Sequence, residues 1–394
     1  MTQRRKTLSS RSPYDPQVPD LRAARLVLKE GFSVLAETAP PTRPDDLTMR
    51  AYRSLTDSAR KAYDRQRREF HANFGPFVTP AVTTATRTLT NVYESNRFKR
   101  GDRLRGSVIM SAPAGLGKST LVVSFAQQVF RDRRAENGKY TTHGNEYIPV
   151  AYISLTSNPT PRGIDALICD FYGAPLNARN EGELLLRARD CVLDCETELF
   201  IVDECQFVDE TRPTDAIKTV NHLKSLVNMM PGTFIFVGTG LSHDEEIAYR
   251  GAAKQAPHPV HRNMVRDHIL VQQMGRRWTP ITFTGFTLTT QANRNAWEAY
   301  LLTMERDMVL CRKRPGMLVE KLSQYLFTRS SGHIGSLMSL IGQGIYRAVT
   351  SGEEQLTQNL LDTVTIDTEA ERQRTAYLAK FHTGALSTHH DPQT

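Results

Sequence analysis

Residues 107–121 read Ser107-Val-Ile-Met-Ser-Ala112-Pro113-Ala114-Gly115-Leu116-Gly117-Lys118-Ser119-Thr120-Leu121. A short apolar run, Val108 to Met110, leads into a loop of small residues. The loop ends in Gly117-Lys118-Ser119-Thr120, and an apolar helical pattern follows with Leu121, Val122, Val123, Phe125 and Ala126. Strand, glycine-containing loop and helix in this order are what a phosphate-binding P-loop requires. Glycines let backbone N–H groups turn toward phosphate oxygens. The helix N-terminus adds partial positive charge. On this reading Ala112 to Thr120 cradle a nucleotide, Lys118 reaches its β- and γ-phosphates, and Ser119 ligates Mg²⁺. The first position of G-x-x-x-x-G-K-[ST] is Ala112 here, and a small residue still allows the turn.

About eighty residues downstream stands Glu198-Leu-Phe-Ile-Val-Asp203-Glu204, an apolar strand ending in two acids. Such a strand delivers carboxylates to the carboxyl edge of an open α/β sheet, where ligands bind. Asp203 is assigned to the Mg²⁺ shell, and Glu204 to orienting and activating the attacking water. Two further strands are expected, Tyr147 to Ser154 and Thr233 to Gly240. The second has a polar tip, Thr239, placed to sense a γ-phosphate. Residues 242–270 hold His243, His258, His261 and His268 without the paired spacing of H-E-x-x-H, so they read as a loop or insertion. Arg276-Arg277-Trp278 follows, before another short strand. An arginine there fits the position of an arginine finger that reaches a neighbouring subunit's nucleotide. Arg277 is favoured over Arg276.

At 394 residues the chain is long enough for one large domain or two. It has no apolar run of membrane-spanning length, and no apolar signal core follows the basic N-terminus. The five cysteines lie scattered, without C-x-x-C spacing, which argues against a disulfide framework or a zinc site and for a reducing cytoplasm. Charge is uneven. Residues 1–110 carry 21 Lys and Arg against 11 Asp and Glu, whereas the whole chain is +8. A basic N-terminal third beside a near-neutral remainder suggests a polyanionic partner, with nucleic acid the leading candidate. A solvated basic surface is the plainer reading.

Residues 1–20 are polar and proline-bearing, and are expected to be disordered. A weak helix pattern covers Leu21 to Leu35. Asp45-Asp46 opens a candidate helix to about Phe70, dense in charge (Arg60, Lys61, Arg65, Arg67, Arg68), which can lie along a phosphate backbone or dock on a partner. Another helix is expected from Thr79 to Asn96. Beyond the core come helical segments at Thr290 to Cys311, Met317 to Thr328, Ser330 to about Val349, and Asp362 to Ala379. The expected organisation is therefore a basic N-terminal extension (1–78), an α/β nucleotide-binding core with a parallel sheet flanked by helices (79–288), a helical lid (289–380) and a polar tail (381–394).

P-loop, acidic strand, polar strand tip, arginine pair and helical lid, in that order, resemble the layout of AAA+ ATPases over roughly residues 80–355. Within that superfamily the chain is most similar to transposition regulators of the TniB/TnsC/MuB type. The residues behind this are Ile148-Pro-Val-Ala-Tyr-Ile, Ala166-Leu-Ile with Tyr172-Gly-Ala-Pro175, Phe236-Val-Gly-Thr239, Arg277-Trp278 where the family has Arg-Phe, and Gly332-His-Ile334-Gly335-Ser-Leu337. The resemblance implies an ATPase using ATP and Mg²⁺. It further implies a homo-oligomer that forms rings or helical filaments on double-stranded DNA, marks a target site and recruits a transposase. Hydrolysis would drive disassembly, and a target-selector protein is an expected partner. Many lids of this superfamily carry a sensor arginine where Gly335 stands, so none is expected here. The basic helix at 60–68 and the loops near 158–162 are candidate DNA contacts, and the two chain ends are candidate docking regions. The alternatives are an AAA+ helicase loader or replication initiator, and a nucleotide-controlled signalling ATPase that does not bind DNA.

Overall fold

The computed structural model describes residues 24–101, 103–209, 211–241 and 278–388. Its centre is an all-parallel five-stranded sheet built from β1 (Ser107–Ser111), β2 (Val150–Ser154), β3 (Leu199–Asp203), β4 (Thr233–Gly238) and β5 (Trp278–Thr282), in spatial order β2-β3-β4-β1-β5. Strands β1 to β4 are near-continuous apolar runs because helices cover both faces of the sheet. Pro280 lacks an N–H for the ladder and falls on β5, an edge strand, where that omission is tolerated. Trp278 pairs with the small, buried Ser107 and so reaches across β1 to stack on Phe236, with ring centroids 4.2 Å apart. Phe200 stacks on Phe234 at 4.5 Å in the same layer.

The flanking helices are α4 (Pro80–Arg97), α5 (Lys118–Asn137), α6 (Pro161–Phe171), α7 (Glu181–Asp194), the single turn α8 (Gln206–Asp209) and α9 (Pro213–Met229). The hydroxyls of Thr79 and Thr160 and the Asn180 side chain cap α4, α6 and α7, each accepting a first-turn N–H. After the sheet come α10 (Gln291–Asp307), α11 (Ser323–Ser330), α12 (Ile334–Ser351), α13 (Gln358–Asp362) and α14 (Thr368–His382). They enclose a second hydrophobic cluster around the fully buried Trp297, Leu326, Leu337 and Ile341. Residues 317–322, expected as helix, are turns, and the helix begins only at Ser323. The last helix, expected from Asp362 to Ala379, begins only at Thr368 with Asp367 as its cap, and Asp362 instead ends the short α13, capped by Thr357.

The N-terminal segment shares itself between the two clusters. Helix α1 (Lys29–Glu37) buries Phe32 and Ala36 against α5, and Arg131 donates to the Ala36 carbonyl at 2.9 Å. The candidate helix opened at Asp46 is two helices, α2 (Met49–Ser54) and α3 (Asp57–Ala72), because Thr48 and Thr56 each cap a new start. Helix α3 packs against α12. Arg67 is completely buried there and makes a bidentate pair with Glu354, also completely buried, at 2.7 and 2.9 Å. Burial opposes the Arg67 charge, but its hydrogen bonds to Glu354 and Asp64 outweigh burial and push its pKa up. Nearby, the Val309 N–H donates to His71 Nε2 at 3.1 Å. Burial and the cations Arg67, Arg43 and Lys313 push the His71 pKa down to about 4, which keeps that nitrogen an acceptor.

Arg67 is thus consumed in holding α3 to the helical C-terminal region, so the 60–68 helix does not offer it to a nucleic acid. Removing it strands a buried carboxylate, and breaking such a pair costs about 3–5 kcal/mol. Arg67→Ala is expected to lower the urea midpoint accordingly. A midpoint equal to that of the wild type would show that the pair contributes nothing.

Candidate functional site

The carboxyl ends of β1, β3 and β4 lie at one edge of the sheet, and each carries residues of the expected site. At the end of β1, Gly115 and Gly117 hold φ of +76° and +84°. That backbone suits glycine and points successive N–H groups into one concavity. Ala112 is not among the described non-glycine residues with positive φ, and its side chain is buried in the core. The first position of the loop therefore needs a small residue and not a glycine. Helix α5 has Gly117 at its N-cap and so no side-chain cap, in contrast to α4, α6 and α7, and it carries no acid in its first turn. Lys118 is buried, and its ammonium donates to the carbonyls of Ala112 at 2.5 Å and Pro113 at 3.0 Å, inside the curl of the loop. Ser119 is half-buried and Thr120 exposed on the first turn of α5.

Asp203 ends β3 and is buried. Tyr152, on the paired strand β2, donates its hydroxyl to Asp203 Oδ2 at 2.6 Å, and the Glu204 N–H donates to Oδ1 at 2.8 Å. Burial, then the Asp203 charge, pushes the Tyr152 pKa well up, so the phenol remains a donor that orients the carboxylate. Glu204 takes a left-handed backbone, φ +60°. This conformation is uncommon outside glycine, and such outliers cluster at functional sites. Gln206, which the sequence reading passed over, donates from Nε2 to Glu204 Oε2 and accepts the Thr239 N–H on Oε1 at 3.2 Å. Thr239 is half-buried at the tip of β4. The β4 tip is also joined to the loop: the Leu241 N–H donates to Ser111 Oγ at 2.7 Å.

The helical region reaches the phosphate loop through backbone. The Gly335 N–H, in the first turn of α12, donates to the Gly115 carbonyl at 2.7 Å. A Cβ at Gly335 would lie 2.7 Å from that same oxygen. This close approach explains why residue 335 is a glycine. Beside it, Phe286 N–H donates to the Gly332 carbonyl at 2.8 Å. Gly335→Ala must push α12 off the loop. Overpacking of this kind costs about 1–3 kcal/mol, so the variant is expected to melt several degrees lower and to bind nucleotide more weakly. A variant indistinguishable from wild type in both would contradict this contact.

Lys118, Ser119, Asp203, Glu204 and Thr239 are brought to the shared edge. Arg276 and Arg277 lie outside the described residues, as do the four histidines of 242–270. Near 158–162, Arg162 is half-buried and donates to the Ala178 carbonyl at 3.4 Å. All five cysteines are free thiols. No described helix is long and apolar enough to cross a membrane.

Residues 101–244 match the AAA domain family. The fold is that of an AAA+ P-loop NTPase. Solved AAA+ structures similar to this chain include the ORC2 protein of Aeropyrum pernix in ADPNP and ADP complexes, at 13% identity and TM-score 0.47, covering 81% of this chain and 86% of that one. Cdc6p of Pyrobaculum aerophilum is similar at 11% identity and TM-score 0.43, covering 78% and 83%. AMPPCP-bound DnaA of Aquifex aeolicus is similar at 12% identity and TM-score 0.39, covering 80% and 84%. Among curated proteins none matches the sequence significantly.

The site fits a nucleotide with Mg²⁺. The loop offers open backbone curvature at Gly115 and Gly117, where an added Cβ would meet nothing within 4 Å. The donor set around it, a hydroxyl on Ser119 and a carboxylate on Asp203, is the hard oxygen chemistry Mg²⁺ prefers. Among the described residues no three His, Cys, Asp or Glu side chains cluster to hold an ion alone. Mg²⁺ does not need such a cluster, since it is commonly held by one or two carboxylates together with substrate phosphates.

Proposed function

We propose that this protein is an ATPase that oligomerises on duplex DNA in its ATP state, marks a target site and recruits a transposase, hydrolysis driving disassembly. The observation that carries the enzymatic part is the shared sheet edge, where Lys118, Asp203, Glu204 and Thr239 stand around one phosphate loop closed by α12. Lys118 offsets phosphate charge, and the uncapped start of α5 adds to it. Ser119 and Asp203 would hold Mg²⁺, which would supply neutralisation of phosphate charge. Glu204 orients the attacking water and takes its proton. Thr239 reports the γ-phosphate. Arg277 completes the site of a neighbouring subunit, which makes hydrolysis depend on assembly.

The transposition part rests on the resemblance of Gly332-His-Ile334-Gly335-Ser-Leu337 and of 148–175 to the TniB/TnsC/MuB type. The structure adds a reason for one of those residues, because Gly335 is the contact between lid and loop. DNA binding is supported by the excess of basic residues in the N-terminal third. With Arg67 buried, the basic side chains left exposed on α2 and α3 are Arg50, Arg53, Lys61, Arg65 and Arg68. The test is duplex binding across a salt series with a slowly hydrolysed ATP analogue or with ADP. Phosphate contacts release counterions, so affinity is expected to fall steeply with salt and to require the triphosphate. Binding absent in both nucleotide states would favour a signalling ATPase instead.

A further inference from the structure

The two acids after β3 are followed by a side chain with no role in the site as assigned so far. Cys205 N–H donates to the Val237 carbonyl at 2.9 Å and so prolongs the β3–β4 ladder past the end of β3. The left-handed backbone at Glu204 then turns the chain so that Gln206 opens α8 directly beside the β4 tip. Its amide faces two partners of opposite kind. The Glu204 carboxylate only accepts, and the Thr239 backbone N–H only donates. One orientation of a primary amide satisfies both at once. A glutamate at 206 has no proton to give the carboxylate, and a leucine satisfies neither. The opposing residue is fitted to this bridge as well. A Cβ at Gly238 would come within 2.7 Å of Leu241 Cδ1, 2.8 Å of Gln206 Oε1 and 3.1 Å of the Gln206 backbone nitrogen.

We propose that Gln206 is a positioning residue that ties the base Glu204 to the β4 tip, so that the direction of the carboxylate follows the occupancy of that tip. The proposal rests on the reading of Glu204 as the group that activates water. Through one rigid amide, a displacement of Thr239 toward a bound γ-phosphate moves the hydrogen bond that holds Glu204. The base is thereby aimed when the triphosphate is present and re-aimed when only diphosphate remains. Gln206 touches no reacting atom on this account and acts through Glu204 alone.

The experiment combines steady-state ATP hydrolysis with amide hydrogen exchange of the nucleotide-free protein. Gln206→Leu is expected to lower kcat about 10–100-fold, the cost of a misaimed base, and to leave KM for ATP within about twofold. Gln206→His retains a donor and an acceptor and is expected to recover much of the loss. Gly238→Ala displaces the amide without altering it and is expected to reproduce the kcat loss. The double variant should be little worse than either single one, because both break the same bridge. Without nucleotide, the Thr239 amide should exchange about tenfold faster in Gln206→Leu, its acceptor being gone. Should Gln206→Leu fail to fold, Gly238→Ala carries the same kinetic test. A Gln206→Leu kcat within twofold of wild type, a loss confined to KM, or losses that multiply in the double variant would each overturn the bridge. A wild type inactive toward ATP, or a Glu204→Gln variant as fast as wild type, would instead overturn the reading of Glu204 and this proposal with it.

Discussion

Lys118→Ala is expected to abolish ATP binding at concentrations that saturate the wild type, and with it any ATP-dependent assembly. The reason is local. The ammonium lies inside the curl of the loop, held by the Ala112 and Pro113 carbonyls. It is buried, so its charge is poorly screened by solvent. Exchanging those carbonyl partners for β- and γ-phosphate oxygens replaces two neutral acceptors with anionic ones, which adds the attraction of opposite charges to the hydrogen bonds. Alanine removes the only positive side chain of the loop itself, Ala112 to Thr120. It also leaves the two carbonyls without that donor. The fold should survive, because Lys118 sits at the first position of a 20-residue helix whose apolar face is made by Leu121, Val122, Phe125 and Val129. Titration with a fluorescent ATP analogue, alongside a melting curve, separates the two effects. Binding within a few fold of wild type would show that the loop does not hold phosphate as described.

Glu204→Gln is expected to bind ATP normally and hydrolyse it about 10²–10⁴-fold more slowly, the usual contribution of a general base. The substitution keeps volume and keeps an oxygen to accept from the Gln206 amide. It removes only the capacity to take a proton from water. Asp203 stays oriented by Tyr152 and by the backbone N–H of residue 204, neither of which the change touches. The consequence for assembly is opposite to that of Lys118→Ala. Assemblies should form and persist, because disassembly waits on hydrolysis. Single-turnover hydrolysis measures the chemical step directly. Rapid turnover in this variant would remove Glu204 from the role of base.

What the sequence displayed most openly were the short-range features. The P-loop is a run of nine residues from the end of a strand into the first turn of a helix, and its chemistry requires that spacing. Strand β3 announced itself by four apolar residues, Leu199 to Val202, ending in two acids, and Thr239 by its place after the apolar run of β4. Helix α4 was readable from its period in spite of its threonines, several of which bond back to carbonyls one turn earlier. Long-range relations were not readable. Arg67 and Glu354 stand 287 positions apart, and nothing near either residue says that they meet. Arg67 therefore looked like one more exposed charge on a basic helix. The break between α2 and α3 was hidden because Asp46 seemed an adequate cap, while Thr48 and Thr56 were the residues used. Gln206 carried a faint signal, an amide two residues beyond the paired acids. Its meaning needed the β4 tip beside it. Gly335 was noticed as the replacement of an expected arginine, but the physical reason for glycine, a carbonyl only 2.7 Å from the position of the missing Cβ, lies in the fold.

The central claim is that nucleotide occupancy at this sheet edge controls assembly on duplex DNA. Electron microscopy of the full chain with duplex DNA tests it most directly, comparing a slowly hydrolysed ATP analogue with ADP. The account predicts rings or filaments on the DNA with the triphosphate only, and none for Lys118→Ala in either state. Single particles indifferent to DNA under both conditions would contradict it.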